Sequence, residues 1–537
     1  MNPFQLNLRT LFERSEQYFG KSEIVSRQAH GSIHRYSYRD FHHRVRRLGS
    51  ALKHLDVRAG ERVATFCWNH YRHLELYFAV PCFGAVLHTV NIRLSDDDLI
   101  YIFNHAEDTV IFVDDELVPV IERILPSLTA LRHIVIMGEE AVPNLSKRSV
   151  SYEELIQHGD ESFAFGELDE NLPSGMCYTS ATTGKPKGVV YTQRAIYLHA
   201  MTLCLADVMA ISEHDTVMPV VPMYHVNSWG LPFASIFAGA NLVLPGPRPQ
   251  ARDLLRLIAS EHVSFAAAAV TVGIDMLREL ESEPEDISSL RQLMLGGQAT
   301  PKAVMEKYLS QYGIPIFTAW GATETSPIAT AVHIKKHERS LDDHAKIDIR
   351  VRQGVVVPGL ELKVVNEQGE GVSWDDRQMG EIWVRGPWVA TEYYRDSRSA
   401  EGFADGWWKS GDMATINEEG VLRLVDRAKD LIKSGGEWIS SVQLENELMA
   451  HPAIVEACVV AVPHEKWIER PIAFVVSRDI ASFRDEELEH WLTRKFPKWW
   501  VPDQFIRVDQ IPRTGAGKFN KRELRERLRT LTQSDPG

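Results

Sequence analysis

The sequence predicts an α/β protein: a large N-terminal domain of layered α/β sheets, a small barrel-like subdomain, and a small α+β domain at the C-terminal end. Three observations carry this expectation. Apolar β-type runs alternate with amphipathic segments for most of the length. After about residue 350 that alternation gives way to short strand-like pieces between Gly-rich turns. A charged segment, Val425-Asp-Arg-Ala-Lys-Asp-Leu-Ile-Lys-Ser-Gly-Gly436, then leads into a final piece with strand and helix signals of its own.

The runs RVATFCW (62–68), TVIFVD (109–114) and HIVIMG (133–138) are short, continuous and apolar, as buried strands are. Between them, YRHLELYFAVPCFGAV and DLIYIFNHAE read as helices. Strands alternating with helices imply largely parallel sheets. LELKVVN, GEIWVRG and VLRLVD supply the subdomain, antiparallel or barrel-like. In the final piece SSVQLENELMAHP reads as a helix and VEACVVAVP as a strand. The boundary is placed near Asp426, giving domains 1–425 and 426–537, the second of common domain size.

A chain of 537 residues can bury a large core. Its 44% hydrophobic and 25% charged residues are ordinary for a globular protein. The net charge of -14 argues against a nucleic-acid binder, which needs a basic face. A local basic cluster can still hold a small anion. Cys67, Cys82, Cys177, Cys204 and Cys458 are scattered without ligand-like spacing, which disfavours a disulfide framework or a zinc site and fits a reducing compartment. The first twenty residues carry charges throughout and lack the apolar stretch of a signal peptide. The most apolar run, Gly230 to Ala240, is broken by Pro232 and falls short of the ~20 residues a spanning helix needs. The expectation is a cytoplasmic protein with no integral membrane contact.

The stretch Thr179-Ser-Ala-Thr-Thr-Gly-Lys-Pro-Lys-Gly188 packs hydroxyls, glycines and two lysines into ten residues. It is not a nucleotide-triphosphate P-loop: position 179 is Thr where that signature needs Gly, and Pro186 stands where it needs Ser or Thr. Met176-Cys-Tyr178 before it and Val189-Val-Tyr191 after it are β-like. A loop between two strands can present N–H groups and hydroxyls to phosphate without a helix. Thr179, Ser180, Thr182, Thr183, Gly184 and Lys187 suit that task; the plain alternative is an exposed polar hairpin.

This loop resembles the [ST]-[ST]-G-T-T-G-x-P-K-G loop of the adenylate-forming superfamily, which includes acyl-CoA synthetases, adenylation domains of peptide synthetases and firefly luciferase. Four further stretches match in the family's order: Trp320-Gly-Ala-Thr-Glu-Thr-Ser326, Ser410-Gly-Asp412, Asp426-Arg-Ala-Lys-Asp430 with Lys433-Ser-Gly-Gly436, and Pro512-Arg-Thr-Gly-Ala-Gly-Lys518. Five motifs in order over essentially the whole chain make the resemblance specific. One departure is Ala181, where the family usually has Gly; a position needing positive φ would be strained by it.

The resemblance implies a two-step reaction: a carboxylate attacks the α-phosphate of ATP to give an acyl-adenylate and pyrophosphate, then a thiol, usually coenzyme A, displaces AMP. Joining an anion to a polyanion requires positive charge between them, and Lys518, flanked by glycines, is the candidate stabiliser. Glu324, with the Thr179 hydroxyl, is the candidate ligand set for Mg2+, a cation that takes oxygen donors; a capping carboxylate is the plain alternative for Glu324. Asp412 suits the ribose hydroxyls as a two-oxygen acceptor, with Arg427 and Lys429 beside it in the family pattern. Gly297, Gln298, Thr318, Ala319, Trp320 and Thr323 match stretches that wrap the adenine and acyl carbonyl. At a hinge near Asp426 the small domain is expected to swivel, Lys518 facing the site for adenylation and the loop with Lys433, Glu437 and Trp438 replacing it to admit coenzyme A.

Pro222-Met-Tyr-His-Val-Asn-Ser-Trp229 matches the family's acyl-side motif, which nominates Val226 and Trp229 for the acyl entrance. Together with SGGEWISSVQLENELM it looks most like bacterial fatty-acyl-CoA synthetases. The small residues from Ala266 to Gly273 leave room for an alkyl tail, or simply pack a core. The resemblance thus implies a medium- or long-chain fatty acid, with a short thioether acid, an aryl acid or a carrier-protein thiol as alternatives, and a homodimer as the expected assembly.

Overall fold

Two seven-stranded sheets frame the N-terminal part of the chain. The computed structural model describes residues 4–138, 149–179, 185–435, 437–477, 484–513 and 519–533. The first sheet runs in the order Ser149–Ser151, His133–Met137, Val110–Asp114, Arg62–Phe66, Val86–Thr89, Pro173–Tyr178, Gly188–Thr192. The second runs Ile316–Phe317, Gln292–Gly296, Phe265–Ala269, Thr216–Pro219, Asn241–Leu244, Glu23–Arg27, Ile33–Ser37. The five strands before the closing hairpin follow the same order in both sheets. In each, six strands are parallel and one hairpin partner closes the edge antiparallel. In the second sheet that closing hairpin comes from the start of the chain, pairing Ile24 with Leu242.

The expected runs are strands because both of their faces are covered. In Val110–Asp114, Val110 and Phe112 enter the main core, whereas Ile111 and Val113 enter a second core with Leu99, Phe103 and Ile121 on the outer side. The second sheet divides likewise: Phe265, Ala267 and Met294 face inward, and Ala266, Ala268, Leu293 and Leu295 face outward against Leu254, Ile258, Met276 and Tyr308. Helices Tyr71–Phe83 and Leu231–Ala238 lie between the sheets, with Tyr77, Phe78 and Phe233 in the shared core. Parallel strands buried this way lose the polar alternation of a half-exposed sheet.

The segment after residue 350 is antiparallel, as its pattern indicates. Glu361–Val365, Gly380–Arg385, Trp407–Ile416 and Phe403–Ala404 form a sheet, with Leu422–Arg427 alongside the long third strand. The C-terminal domain pairs Glu437–Ile439, Ile432–Ser434, Ile468–Ser477, Ile454–His464 and Gln504–Arg507. Alternation along its central hairpin puts Ala457, Val459 and Val475 against helices Ser441–Met449 and Asp485–Thr493, and Cys458, Val460 and Phe474 against helix Lys521–Gln533. All five cysteines are free thiols. Among the described residues no helix is long and apolar enough to cross a membrane.

Candidate active site

Four of the expected stretches follow the carboxyl ends of parallel strands, where open α/β sheets place their ligands. Thr179 follows Pro173–Tyr178, residues 222–229 follow Thr216–Pro219, Gly297 and Gln298 follow Gln292–Gly296, and Thr318 follows Ile316–Phe317. Cross-links bring them into one region. The Cys177 thiol faces Asn227 Oδ1 at 3.7 Å, and the Tyr191 hydroxyl donates to the Thr323 carbonyl at 2.9 Å.

The base of the Thr179–Gly188 loop is closed by two hydrogen bonds. Thr179 N–H donates to the Lys187 carbonyl at 2.9 Å, and Lys187 N–H to Thr179 Oγ1 at 3.3 Å. Ser180, Ala181, Thr182, Thr183 and Gly184 lie outside the described residues. The far side of the loop is held from a distance: Arg398 Nη1 donates to the Lys185 carbonyl at 2.9 Å, and the Lys185 ammonium stands 4.4 Å from the Tyr101 ring centre.

Glu324 lies in the one-turn helix Thr323–Thr325 and is buried. Its Oε1 accepts from the Tyr393 hydroxyl at 2.8 Å. Burial raises its pKa, and the Tyr393 hydrogen bond and the Lys187 charge oppose that rise. Lys187 places its ammonium 4.0 Å from the centre of the same Tyr393 ring; burial lowers its pKa and Glu324 counters. A buried carboxylate with Oε1 engaged by Tyr393 and a second oxygen to offer is an oxygen donor that suits Mg2+. The cation would also offset the cost of keeping Glu324 ionised.

A second cluster joins the subdomain to a three-stranded sheet of Ala319–Gly321, Ile328–Ala331 and Val355–Val356. Asp412 is buried; its Oδ2 accepts from the Trp320 indole at 2.8 Å, and its Oδ1 pairs with Arg427 Nε at 3.0 Å. Asp412 and Arg427 face each other across adjacent strands, and the carboxylate raises the pKa of the guanidinium. Each carboxylate oxygen retains a second lone pair for another donor. Ala319 and Trp320 begin a short strand, and Trp320 stacks near Trp408 at 6.2 Å. The Thr318 hydroxyl is already used, donating to the Arg350 and Arg352 carbonyls at 2.6 and 2.7 Å. Gly297 has a φ of 93°, so its turn requires glycine.

The acyl-side motif adopts an unusual backbone. Val226, Asn227, Ser228 and Trp229 all have positive φ, from 47° to 57°, and Gly230 follows at 72°. L-residues rarely visit this region, still less in succession, and each such residue costs about 1–3 kcal/mol. The surroundings hold the turn: Ser228 Oγ donates to the Val221 carbonyl at 2.5 Å. The turn delivers the buried Trp229 indole over Gly296, where a side chain on the glycine would meet the ring at 3.7 Å. Gly273 is elsewhere. It packs on the outer face of the same strand, where an added Cβ would lie 2.6 Å from Leu295, and its carbonyl accepts from Tyr308 at 2.6 Å.

Asp426, the expected hinge residue, is buried, and its Oδ2 accepts from the Ser441 N–H and hydroxyl at 2.7 and 2.6 Å. Lys429 follows, its pKa lowered by burial. The Lys433 ammonium stands 5.2 Å from the Trp438 ring centre, and Glu437 is exposed beside it. Gly436 and Lys518 lie outside the described residues. Tyr393 and Arg398 have no counterpart among the sequence motifs: a tyrosine and an arginine in Glu392-Tyr-Tyr-Arg-Asp-Ser-Arg398 carry no spacing that marks them.

Comparison with known proteins agrees with this geometry. Residues 11–394 match the AMP-binding enzyme family and residues 443–518 the AMP-binding enzyme C-terminal domain. The chain is 44% identical to a long-chain-fatty-acid–CoA ligase of Thermus thermophilus, over 98% of this chain and 96% of the relative. It is 40% identical to a medium-chain-fatty-acid–CoA ligase of Ectopseudomonas oleovorans, over 97% and 96%. The crystal structure of the anthranilate CoA ligase AuaEII with anthranoyl-AMP shares the fold at a TM-score of 0.90 and 24% identity, covering 99% of both chains. With family matches over residues 11–394 and 443–518, the chain belongs to the AMP-binding enzyme family.

Proposed function

We propose that this protein is an ATP- and Mg2+-dependent acyl-CoA ligase that activates a medium- or long-chain fatty acid through an acyl-adenylate. The observation that carries the reading is the buried Glu324 linked through Tyr393 to Lys187 of the hairpin, with the Trp229 indole lying over Gly296 at the end of a neighbouring strand. The names of the two fatty-acid ligases support the acid.

In the first step the fatty carboxylate attacks the α-phosphorus and pyrophosphate leaves. The hairpin residues Thr179, Ser180, Thr182, Thr183, Gly184 and Lys187 hold the phosphates. Glu324 and Thr179 hold Mg2+, which when bound neutralises phosphate charge. Asp412, with Arg427 and Lys429, takes the ribose, and Gly297, Gln298 and Trp320 frame the base and the acyl carbonyl. Lys518 stands between the two anions and stabilises the charge of the transition state. In the second step the coenzyme A thiol attacks the acyl carbonyl and AMP leaves, with Lys433, Glu437 and Trp438 on the incoming loop. The division near Asp426 lets residues 426–537 serve the steps in turn.

The test is a panel of straight-chain acids assayed with ATP and coenzyme A. Each buried CH2 contributes about 0.8 kcal/mol, so an apolar acyl site shows as kcat/KM rising with length. The expected result is a steady climb from butyrate to at least octanoate, flattened or shifted in Trp229→Ala with the KM for ATP within a few-fold. A flat profile, or a peak at an aryl or sulfur-containing acid, removes the fatty-acid assignment and keeps the ligase.

A further inference from the structure

Opposite charges buried in one pocket tend to collapse onto each other. Glu324 and Lys187 are such a pair: the glutamate is buried, the lysine half-buried, and each feels the other's charge, yet no salt bridge or hydrogen bond joins them. Tyr393 stands between. Its hydroxyl donates to Glu324 Oε1 at 2.8 Å, and its ring face receives the Lys187 ammonium 4.0 Å from the centre. The hydroxyl satisfies the carboxylate without charge, and the ring quadrupole satisfies the ammonium without an anion.

The ring itself is fixed from behind. It packs edge-on against Phe403 at 5.0 Å, and Gly402 approaches so closely that an added Cβ would lie 3.0 Å from it. Tyr393 N–H donates to Ser399 Oγ at 2.9 Å. The next residue is tied to the hairpin: Tyr394 N–H donates to the Gly188 carbonyl at 2.8 Å, adjacent to Lys187. The tyrosine cannot readily swing away, and its distance from the lysine is set by backbone.

We propose that Tyr393 is a positioning residue that keeps Glu324 and Lys187 from neutralising each other, so that the carboxylate stays open to a divalent cation and the ammonium to a nucleotide phosphate. The inference rests on the nucleotide site proposed above. Without the ring, the lysine closes onto the glutamate, and metal and phosphate must each break that pair to bind.

The test separates hydroxyl, ring and charge by equilibrium titration with ATP, in EDTA and in Mg2+, using full-length protein whose folding is checked by circular dichroism. Tyr393→Phe keeps the spacer and loses the hydrogen bond. Its affinity for metal-free ATP stays within about threefold of wild type, while the Mg2+ concentration for half-maximal adenylation rises. Tyr393→Leu loses the spacer, and metal-free ATP binding weakens about tenfold or more. In the double variant Tyr393→Leu/Glu324→Gln the lysine is released, and metal-free ATP binding returns to that of Glu324→Gln alone. Wild-type affinity in Tyr393→Leu, or a double variant as weak as Tyr393→Leu, overturns the proposal. Should Tyr393→Leu not fold, a large loss of metal-free affinity in Tyr393→Phe does so. A wild-type protein that binds no ATP fails the nucleotide reading instead.

Discussion

Lys521 is the sharpest test of how the C-terminal domain is held together around Asp426. Its ammonium is 2.8 Å from Glu445 Oε1 and 2.5 Å from Ser441 Oγ, and Ser441 in turn donates to Asp426. The side chains of Lys521 and Glu445 are 14% and 10% exposed, so the pair is largely desolvated. Removing one partner of a buried pair costs about 3–5 kcal/mol because the remaining charge is stranded. Lys521→Met keeps the apolar stem and removes only the charge. Glu445 also keeps the Val459 N–H, which donates to it at 2.8 Å. The expected loss is therefore near the lower end, about 3 kcal/mol. Every 1.4 kcal/mol is a factor of ten, so amides of strand Ile454–His464 should exchange roughly 100-fold faster. Lys521→Met/Glu445→Gln should recover much of the loss. Burial already raises the Glu445 pKa above its ordinary 4.5, and removing Lys521 raises it further. The folded variant then binds a proton that the unfolded chain releases. Its stability should rise as pH falls from neutrality toward that ordinary value, and drop again on returning to neutral pH. Exchange within fivefold of wild type, or a double variant no better than the single, would refute the buried-pair account.

Three further outcomes are expected. Lys518→Ala should slow acyl-adenylate formation ~10²-fold or more and spare thiolation of presynthesised adenylate; equal losses in the two half-reactions, measured separately, would remove the domain-alternation reading. Glu324→Gln should raise the Mg2+ requirement of adenylation with the fold intact, and an unchanged magnesium titration would mean the metal is held elsewhere. Gly230→Ala should lower the denaturant midpoint: the residue has a φ of 72°, and its new Cβ would lie 2.5 Å from His199 Cε1. Strain and overpacking together cost roughly 2–4 kcal/mol. A midpoint within error of wild type would show that the turn relaxes.

The layered α/β frame was legible because buried parallel strands write themselves as unbroken apolar runs, as Val110–Asp114 does. The motif residues were legible because they sit within single loops, so their spacing survives in the sequence. Tyr393 was not: it lies 69 residues from Glu324 and joins it only through the fold. The left-handed turn was equally hidden, since Val226 to Trp229 contains no glycine to announce positive φ. Gly273 shows the converse limit. Smallness in a sequence reads as space, and here Leu295 occupies it.

The shared strand order of the two sheets has a consequence for synthesis. The hairpin Glu23–Ser37 leaves the ribosome before the rest of its sheet, and the strand it must join, Asn241–Leu244, is more than 200 residues downstream. At about 5–20 residues per second that is a delay on the order of 10–40 s. During it, Ile24 and Val25, both buried in the finished protein, have no sheet to enter. In the first sheet the equivalent hairpin is made after the other five strands, and meets a surface already built. The second sheet is therefore the late, aggregation-exposed half of the frame, and it is the hairpin Glu23–Ser37 that needs shelter while its partner strand is made.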